Sequence, residues 1–148
     1  MNGDESLLLY FDSSALVKLV LDDEVGSDLA EELWNRCSAP IASRLANPEV
    51  AAALASAARS GRVRPVRTRA LGEKWSRFWS ATLTVELTPS ICELAARLTG
   101  GHALSGADAV HLASALELGD DVVFVTWDRR LHAAASAEGL AVVPATLD

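Results

Sequence analysis

The sequence predicts an α/β fold: a three-layer α/β/α arrangement in which helices cover both faces of a central, mainly parallel sheet. Short apolar runs alternate with longer helical segments, an order that implies parallel strands joined by right-handed crossovers. The run at residues 7–11 is continuously apolar, as is typical of a strand buried on both faces. With 148 residues and no repeat or linker, the chain is expected to form a single domain spanning residues 1–148.

The first half of the chain is predicted to contain two strands and three helices. The predicted elements are a strand at 7–11, helices at 13–21 and 22–36, a strand at 39–42 and an alanine-rich helix up to Gly61. The first strand stops at Asp12, where a helical pattern begins. Three consecutive acids at 22–24 favour the start of the second helix, and Gly61 is typical of a helix C-terminus.

The second half continues the alternation. Its predicted elements are a helix that ends near residue 80, a strand at 83–87, helices at 89–98 and 105–118, a strand at 122–125, a helix at 128–137 and a strand at 141–143. Glycines follow three of these helices and indicate where they end: Gly100-Gly101, Gly119 and Gly139.

The net charge of −7 argues against a nucleic-acid partner, but the charge is unevenly distributed. Residues 59–77 carry seven basic residues and one acid, interleaved with Trp75 and Trp79. Two interpretations stay open. The segment could follow a phosphate backbone while an indole stacks on a base, or it could be a solvated helix pair whose tryptophans face the core. On the first interpretation the candidate RNA-binding residues are Arg62, Arg64, Arg67 and Arg69.

The two cysteines and the N-terminus indicate the cellular compartment. Cys37 and Cys92 lack any motif spacing and are expected to be buried, reduced thiols in a cytoplasmic protein. The N-terminus lacks a basic region followed by a long apolar run, and no stretch approaches the length of a membrane span. A soluble protein without membrane contact is therefore expected.

Four acids stand where a predicted strand ends or in the opening turns of a predicted helix: Asp12, Glu49, Asp108 and Asp128. The carboxyl ends of parallel strands face one crevice, so these acids are expected to converge there. Two carboxylates roughly 5 Å apart repel by about 3 kcal/mol at an effective dielectric of about 20, so such a cluster calls for a cation. Oxygen-only ligands favour Mg²⁺ or Mn²⁺.

Each acid also has a structural interpretation. Asp12 and Asp128 could each act only as the N-cap of the helix that follows. Asp108 lies three residues after Ser105, which is the spacing of a capping box.

Glu49 is harder to place because Pro48 precedes it. Either Asn47 caps a helix whose first residue is Pro48, or a helix that starts near Ser43 is kinked there. On either alternative Glu49 could also act simply as favourable charge near a helix N-terminus.

Other chemistries have less support. The histidines form neither an HExxH nor a Cys/His zinc pattern, and no glycine-rich phosphate loop or GxSxG elbow is present. The segment after Asp12 lacks the second aspartate of a haloacid dehalogenase phosphatase. His111 lies one helical turn past Asp108; it either leans toward the acids or is a packed, hydrogen-bonded histidine of that helix.

Four segments carry a resemblance to a known family: LYFDSSALVKLVL, SRLANPEVAAAL, LSGADAVHLASAL and FVTWDRRL. In that order and separation they resemble the PIN domain of VapC-type toxins from bacterial toxin–antitoxin pairs, over nearly the whole chain. The four acids of the family correspond to Asp12, Glu49, Asp108 and Asp128. The hydroxyls of Ser13 and Thr126 are expected to support the first and fourth acids. Pro48 and Trp127 depart from the usual pattern.

The resemblance implies a Mg²⁺- or Mn²⁺-dependent endoribonuclease, a homodimer inhibited by a partner antitoxin that covers the acidic pocket. Asp12 and Asp108 would be the main metal ligands, completed by Glu49 and Asp128. Arg129 and Arg130 join the basic residues above as candidates for RNA phosphates. Two alternatives stay open: a PIN-domain nuclease that acts on other nucleic acid without an antitoxin, and a catalytically inactive PIN-like module for binding or dimerisation.

Overall fold

The computed structural model describes residues 7–147. Its strands are β1 (Leu8–Phe11), β2 (Ala39–Ser43), β3 (Leu83–Val85), β4 (Val122–Val125) and β5 (Ala141–Val143). Its helices are α1 (Ser13–Val20), α2 (Ser27–Arg36), α3 (Ala46–Arg59), α4 (Pro65–Ser80), α5 (Pro89–Gly101), α6 (Gly106–Glu117) and α7 (Arg129–Ala137). Within this part of the chain, none of the helices has the length and apolar character needed to cross a bilayer.

The five strands form one parallel sheet in the order β3-β2-β1-β4-β5. The chain builds outward from β1 to β2 and β3, then crosses to the other side of β1 to form β4 and β5. The sequential order therefore reverses between β1 and β4. In open α/β sheets, ligands bind in the crevice at the carboxyl ends of the strands on either side of such a switch point.

Helices cover both faces of the sheet, which confirms the predicted three-layer α/β/α fold. Alternate residues of a strand point to opposite faces. Leu9 and Phe11 pack against α1 to α4, whereas Tyr10 and Phe124 pack against α5 to α7. All four side chains are fully buried, and burying a side chain of this size stabilises the fold by about 1.5–3 kcal/mol.

The second helix begins later than the sequence predicted. It starts at Ser27 rather than at residue 22, because Gly26 has φ +94°, a left-handed conformation that cannot continue a helix. A Cβ atom on Gly26 would lie 2.5 Å from the indole nitrogen of Trp127. The turn is therefore held by a residue distant in sequence.

The start of α3 settles the question raised by Pro48. The helix begins at Ala46, and Pro48 lies in its first turn, where a missing amide proton is tolerated. Asn47 does not cap the helix; its side-chain oxygen accepts a hydrogen bond from Trp75 Nε1 at 3.0 Å. Of the two alternatives, the Asn47 cap is therefore wrong, and the helix starts before Pro48 but three residues after Ser43.

Smaller differences occur around β3. The strand ends at Val85 rather than at residue 87, and the Thr88 hydroxyl caps α5 by accepting from the Ile91 amide at 3.2 Å. Helix α5 continues to Gly101, so the glycine pair lies inside its last turn. Cys92 of this helix is exposed and Cys37 is half-buried, so the expected burial of the two thiols is wrong.

Candidate active site

Asp12 lies directly after β1 and is 2% exposed. Its Oδ1 accepts hydrogen bonds from the Ser14 hydroxyl at 2.7 Å and from the Ala15 amide at 3.0 Å, the latter an N-cap bond to α1. Its Oδ2 accepts from the Thr126 hydroxyl. The N-cap interpretation of Asp12 is thus confirmed, and the three donors also fix the orientation of the carboxylate.

Thr126 links the first acid to the fourth. Besides donating to Asp12, its Oγ1 accepts from the Asp128 amide at 3.0 Å. Asp128 in turn caps α7 through a hydrogen bond from the Leu131 amide at 2.9 Å. The buried Thr126 hydroxyl therefore joins the crossing from β4 to α7 to the end of β1.

Glu49, in the first turn of α3, is held by two side chains from other elements. Its Oε1 accepts from the Ser13 hydroxyl at 2.6 Å and lies 2.6 Å from Nε2 of His111 on α6. The Glu49 side chain is 29% exposed, whereas that of His111 is 1% exposed. His111 is thus packed in the core, as one interpretation held, and also contacts Glu49, as the other did.

Asp108 and Asp128 line one open groove. Its other lining residues are Ala103, Ser105, Trp127, Arg129 and Arg130. The Ser105 hydroxyl accepts from the backbone amide of Asp108 at 3.1 Å, so the Ser105 cap of α6 uses the main chain of Asp108 and leaves its side chain at the groove.

The surroundings shift the pKa of three of the acids, and not all in the same direction. Burial raises the pKa of Asp12, despite donors that favour its charged form. Burial and the neighbouring charge of Asp128 raise the pKa of Asp108. Burial opposes ionisation of Glu49 too, but hydrogen bonds from His111 and Ser13 outweigh it, and the pKa of Glu49 is lowered. The site thus combines a stable anion with two carboxylates that a cation would stabilise.

The four acids supply only oxygen donors, the type that Mg²⁺ and Mn²⁺ prefer. Across residues 7–147, no three acidic, histidine or cysteine side chains are placed closely enough to enclose an ion. Asp108 and Asp128 instead line an open groove, and the charge of Glu49, like that of Asp128, contributes to the raised pKa of Asp108.

The basic segment 59–77 is less available for RNA than its sequence indicated. Arg62 pairs with Asp23 at 3.3 Å and with Glu24 at 2.9 Å. Trp75 is 5% exposed and packs in the core, so its indole is not free to stack on a base. Arg69 pairs with Glu73 of its own helix at 3.2 Å. Of the four candidates, Arg64 and Arg67 are exposed without an ion pair among the described residues.

Arg129 and Arg130 have a different position. Both are exposed and line the same groove as Asp108 and Asp128. Among the candidate basic residues, these two border the acids directly.

Two features of the site carried no sequence signal. The Ser14 hydroxyl donates to Asp12 and accepts from the Trp127 amide at 3.0 Å, and the Tyr10 hydroxyl lies 2.8 Å from Nδ1 of His111. Tyr10 sits in an apolar strand and looks like an ordinary core residue in the sequence. Only the pairing of β1 with its neighbours brings it to the histidine.

Comparisons with known proteins place these observations in a family. A family model described as the PIN domain matches residues 9–137. Two ribonucleases of Mycobacterium tuberculosis, VapC45 and VapC49, are each 53% identical over 142 residues, which is 95% of this chain and 98% of theirs.

Solved structures share the fold. The protein PAE2754 of Pyrobaculum aerophilum has a TM-score of 0.71 at 24% identity, covering 93% of this chain and 85% of its own. VapC20 of Mycobacterium tuberculosis, described as a sarcin-ricin loop cleaving toxin, has a TM-score of 0.66 at 18% identity, covering 90% and 96%. A toxin–antitoxin complex from Klebsiella pneumoniae also has a TM-score of 0.66 at 18% identity, covering 95% and 99%.

Proposed function

This chain belongs to the PIN domain family, and we propose that it is a metal-dependent endoribonuclease that acts as the toxin of a VapBC-type toxin–antitoxin pair. The observation that carries the proposal is the arrangement of acids at the carboxyl ends of β1 and β4, where Thr126 joins Asp12 to Asp128 and Asp128 lines one groove with Asp108. The 53% identity to two ribonucleases over nearly their full length supports the same activity.

Asp12, Glu49, Asp108 and Asp128 are the proposed ligands of a Mg²⁺ or Mn²⁺ ion. Such an ion supplies charge stabilisation at the phosphate and lowers the pKa of a bound water. Asp12, held by three donors, would keep its carboxylate in one orientation. Asp108 and Asp128 line the open side of the site, where substrate would enter.

In the proposed reaction, water attacks phosphorus in line, a P–O bond forms and the bond to the departing 3′ oxygen breaks. Arg129 and Arg130 would hold phosphates beside the acids, and Arg64 and Arg67 are candidates for more distant phosphates. Ser13 and Thr126 would act through the carboxylates to which they donate.

We also propose an antitoxin partner and a homodimer, acting in the cytoplasm where RNA substrates are present. The antitoxin is supported by the toxin–antitoxin complex among the structural neighbours. The observation that would separate this proposal from a nuclease without an antitoxin is a short upstream reading frame that encodes a DNA-binding protein.

The test is to incubate purified protein with total RNA, with Mn²⁺, with Mg²⁺ and with EDTA, and to map the cleaved ends. Discrete metal-dependent ends that disappear with Asp12→Asn are expected. Absence of cleavage with either ion, in a folded wild type, would favour the inactive-module alternative and refute the proposal.

A further inference from the structure

A chain of hydrogen bonds runs through the core from the main chain of β2 to Glu49. The Ser43 amide donates to the Tyr10 hydroxyl at 3.0 Å, and that hydroxyl lies 2.8 Å from Nδ1 of His111. Nε2 of the same ring lies 2.6 Å from Oε1 of Glu49. Ser43 and Tyr10 are fully buried and His111 is 1% exposed, so water does not compete for these bonds.

The groups on the two sides of the His111 ring indicate the direction of its hydrogen bonds. An amide can only donate, so the Tyr10 oxygen accepts from Ser43, and its own proton is free for His111. The Glu49 carboxylate can only accept, so the bond at Nε2 requires a ring proton there, and the Tyr10 proton is available to Nδ1. The imidazole therefore donates to Glu49.

The histidine ring is also held in place by packing. Its centroid lies 5.9 Å from that of Tyr10 in an edge-on contact, and Tyr10 stacks on Phe124 with centroids 5.3 Å apart and planes inclined by 4°. A ring packed in this way cannot turn to exchange its two nitrogens without disturbing both neighbours.

The two carboxylate oxygens of Glu49 differ in their hydrogen bonds. Oε1 receives hydrogen bonds from both Ser13 and His111, whereas Oε2 has no hydrogen-bond partner within residues 7–147. The side chain keeps 29% of its surface exposed. One oxygen is thus anchored to the protein and the other is left for an external ligand.

We propose that His111 is a positioning residue that orients Glu49, with the Nε2–H tautomer imposed by the Tyr10 hydroxyl. The inference rests on the proposed function, because it takes Glu49 as a metal ligand. His111 touches neither metal nor RNA; it acts by fixing Oε1 so that Oε2 faces the ion. Partners of this kind, behind a ligand, commonly affect metal affinity about 10- to 100-fold.

The first test needs no metal and no substrate. The ¹⁵N signals of His111 in the full-length, metal-free protein should show a ring protonated at Nε2. In Tyr10→Phe, which keeps the ring packing but removes the donor, this tautomer preference should weaken. A wild-type ring protonated at Nδ1, or an unchanged tautomer in Tyr10→Phe, overturns the proposal.

The second test uses two variants of His111 that differ in which ring nitrogen they imitate. The amide nitrogen of glutamine reaches approximately as far as Nε2, and that of asparagine only as far as Nδ1. His111→Gln should therefore keep Mn²⁺ affinity within about threefold of wild type, and His111→Asn should lose about 10- to 100-fold. Mn²⁺ binding is measured by titration followed by electron paramagnetic resonance, with melting temperatures as the folding control.

The outcomes separate this inference from the proposed function. Equal Mn²⁺ affinity in wild type and a folded His111→Asn overturns the positioning role alone. A wild type that neither binds Mn²⁺ nor cleaves RNA refutes the proposed function, and the positioning role with it. If His111→Asn does not fold, Tyr10→Phe replaces it in the Mn²⁺ titration, where an unchanged affinity overturns the proposal and a weakened one supports it.

Discussion

Replacing Asp108 by asparagine separates a metal-binding role from a structural one. The Ser105 cap of α6 uses the backbone amide of Asp108, so asparagine keeps that bond. The substitution removes a carboxyl whose pKa is raised by burial and by the charge of Asp128. The melting temperature in EDTA is therefore expected to stay the same or rise. Ser105→Ala is the matched control, since it removes the cap and keeps the carboxylate; it should cost about 1 kcal/mol, or about 3 °C for a domain of this size.

Mn²⁺ should raise the melting temperature of Asp108→Asn less than that of wild type or of Ser105→Ala. An ion at about 100 times its Kd stabilises the fold by about 2.7 kcal/mol, which is about 8 °C here. If loss of the Asp108 carboxylate weakens binding about a hundredfold, the same Mn²⁺ concentration stabilises Asp108→Asn by only about 0.4 kcal/mol, or about 1 °C. Ser105→Ala should show the full shift from its lower starting point.

Differential scanning calorimetry of the three proteins, with EDTA and with Mn²⁺, measures all of these quantities. A metal-free melting temperature of Asp108→Asn several degrees below wild type would show that the side chain supports α6. Equal Mn²⁺ shifts in wild type and Asp108→Asn would place the ion elsewhere and refute the reasoning.

Three further predictions concern activity, RNA affinity and pH. Asp12→Asn or Glu49→Gln should reduce RNA cleavage about a hundredfold or more, because a metal ligand contributes several kcal/mol; wild-type rates with purified variants would contradict this. Arg129→Ala and Arg130→Ala should each lower the salt dependence of single-stranded RNA binding by about 0.7 in a log–log plot, and Arg62→Ala, which is ion-paired, should lower it less. In EDTA, the free energy of unfolding of wild type relative to Asp12→Asn should fall as pH rises above about 4. The reason is that a raised pKa means that the folded chain binds the Asp12 proton more tightly than the unfolded chain does. Parallel pH curves of the two proteins in chemical denaturation would exclude this.

The sheet could be predicted from the sequence because its strands are short apolar runs, and two-sided burial leaves few other options for them. The parallel order followed from the alternation with helices. The start of α2 could not be predicted, because the acids at 22–24 favour a helix locally while the fold requires the turn. The start of α2 depends on the close approach of Gly26 and Trp127, which are far apart in sequence, so no local sequence pattern predicts it.

The location of Asp12 and Asp128 at the ends of neighbouring strands could be predicted from the sequence, but their hydrogen bonds could not. Parallel strands explain why Asp12 and Asp128 lie at the same edge of the sheet. The donors that orient the carboxylates come from residues with ordinary sequence roles: a strand tyrosine, a helix histidine and a serine. Their alignment depends on strand register and helix packing, which become visible only once the chain is folded.

The charge distribution offers an account of how an acidic chain could still bind RNA at this crevice. Much of the basic segment is neutralised within the protein, where Arg62 pairs with the acids of the α1–α2 turn and Lys74 pairs with Asp22 at 3.3 Å. Arg129 and Arg130 occupy the first turn of α7, where positive charge opposes the helix dipole and costs about 0.3–1 kcal/mol each. Arg129 donates a hydrogen bond to the Leu147 carbonyl at 3.2 Å. Under the proposed function, both arginines would also hold a phosphate beside Asp108 and Asp128.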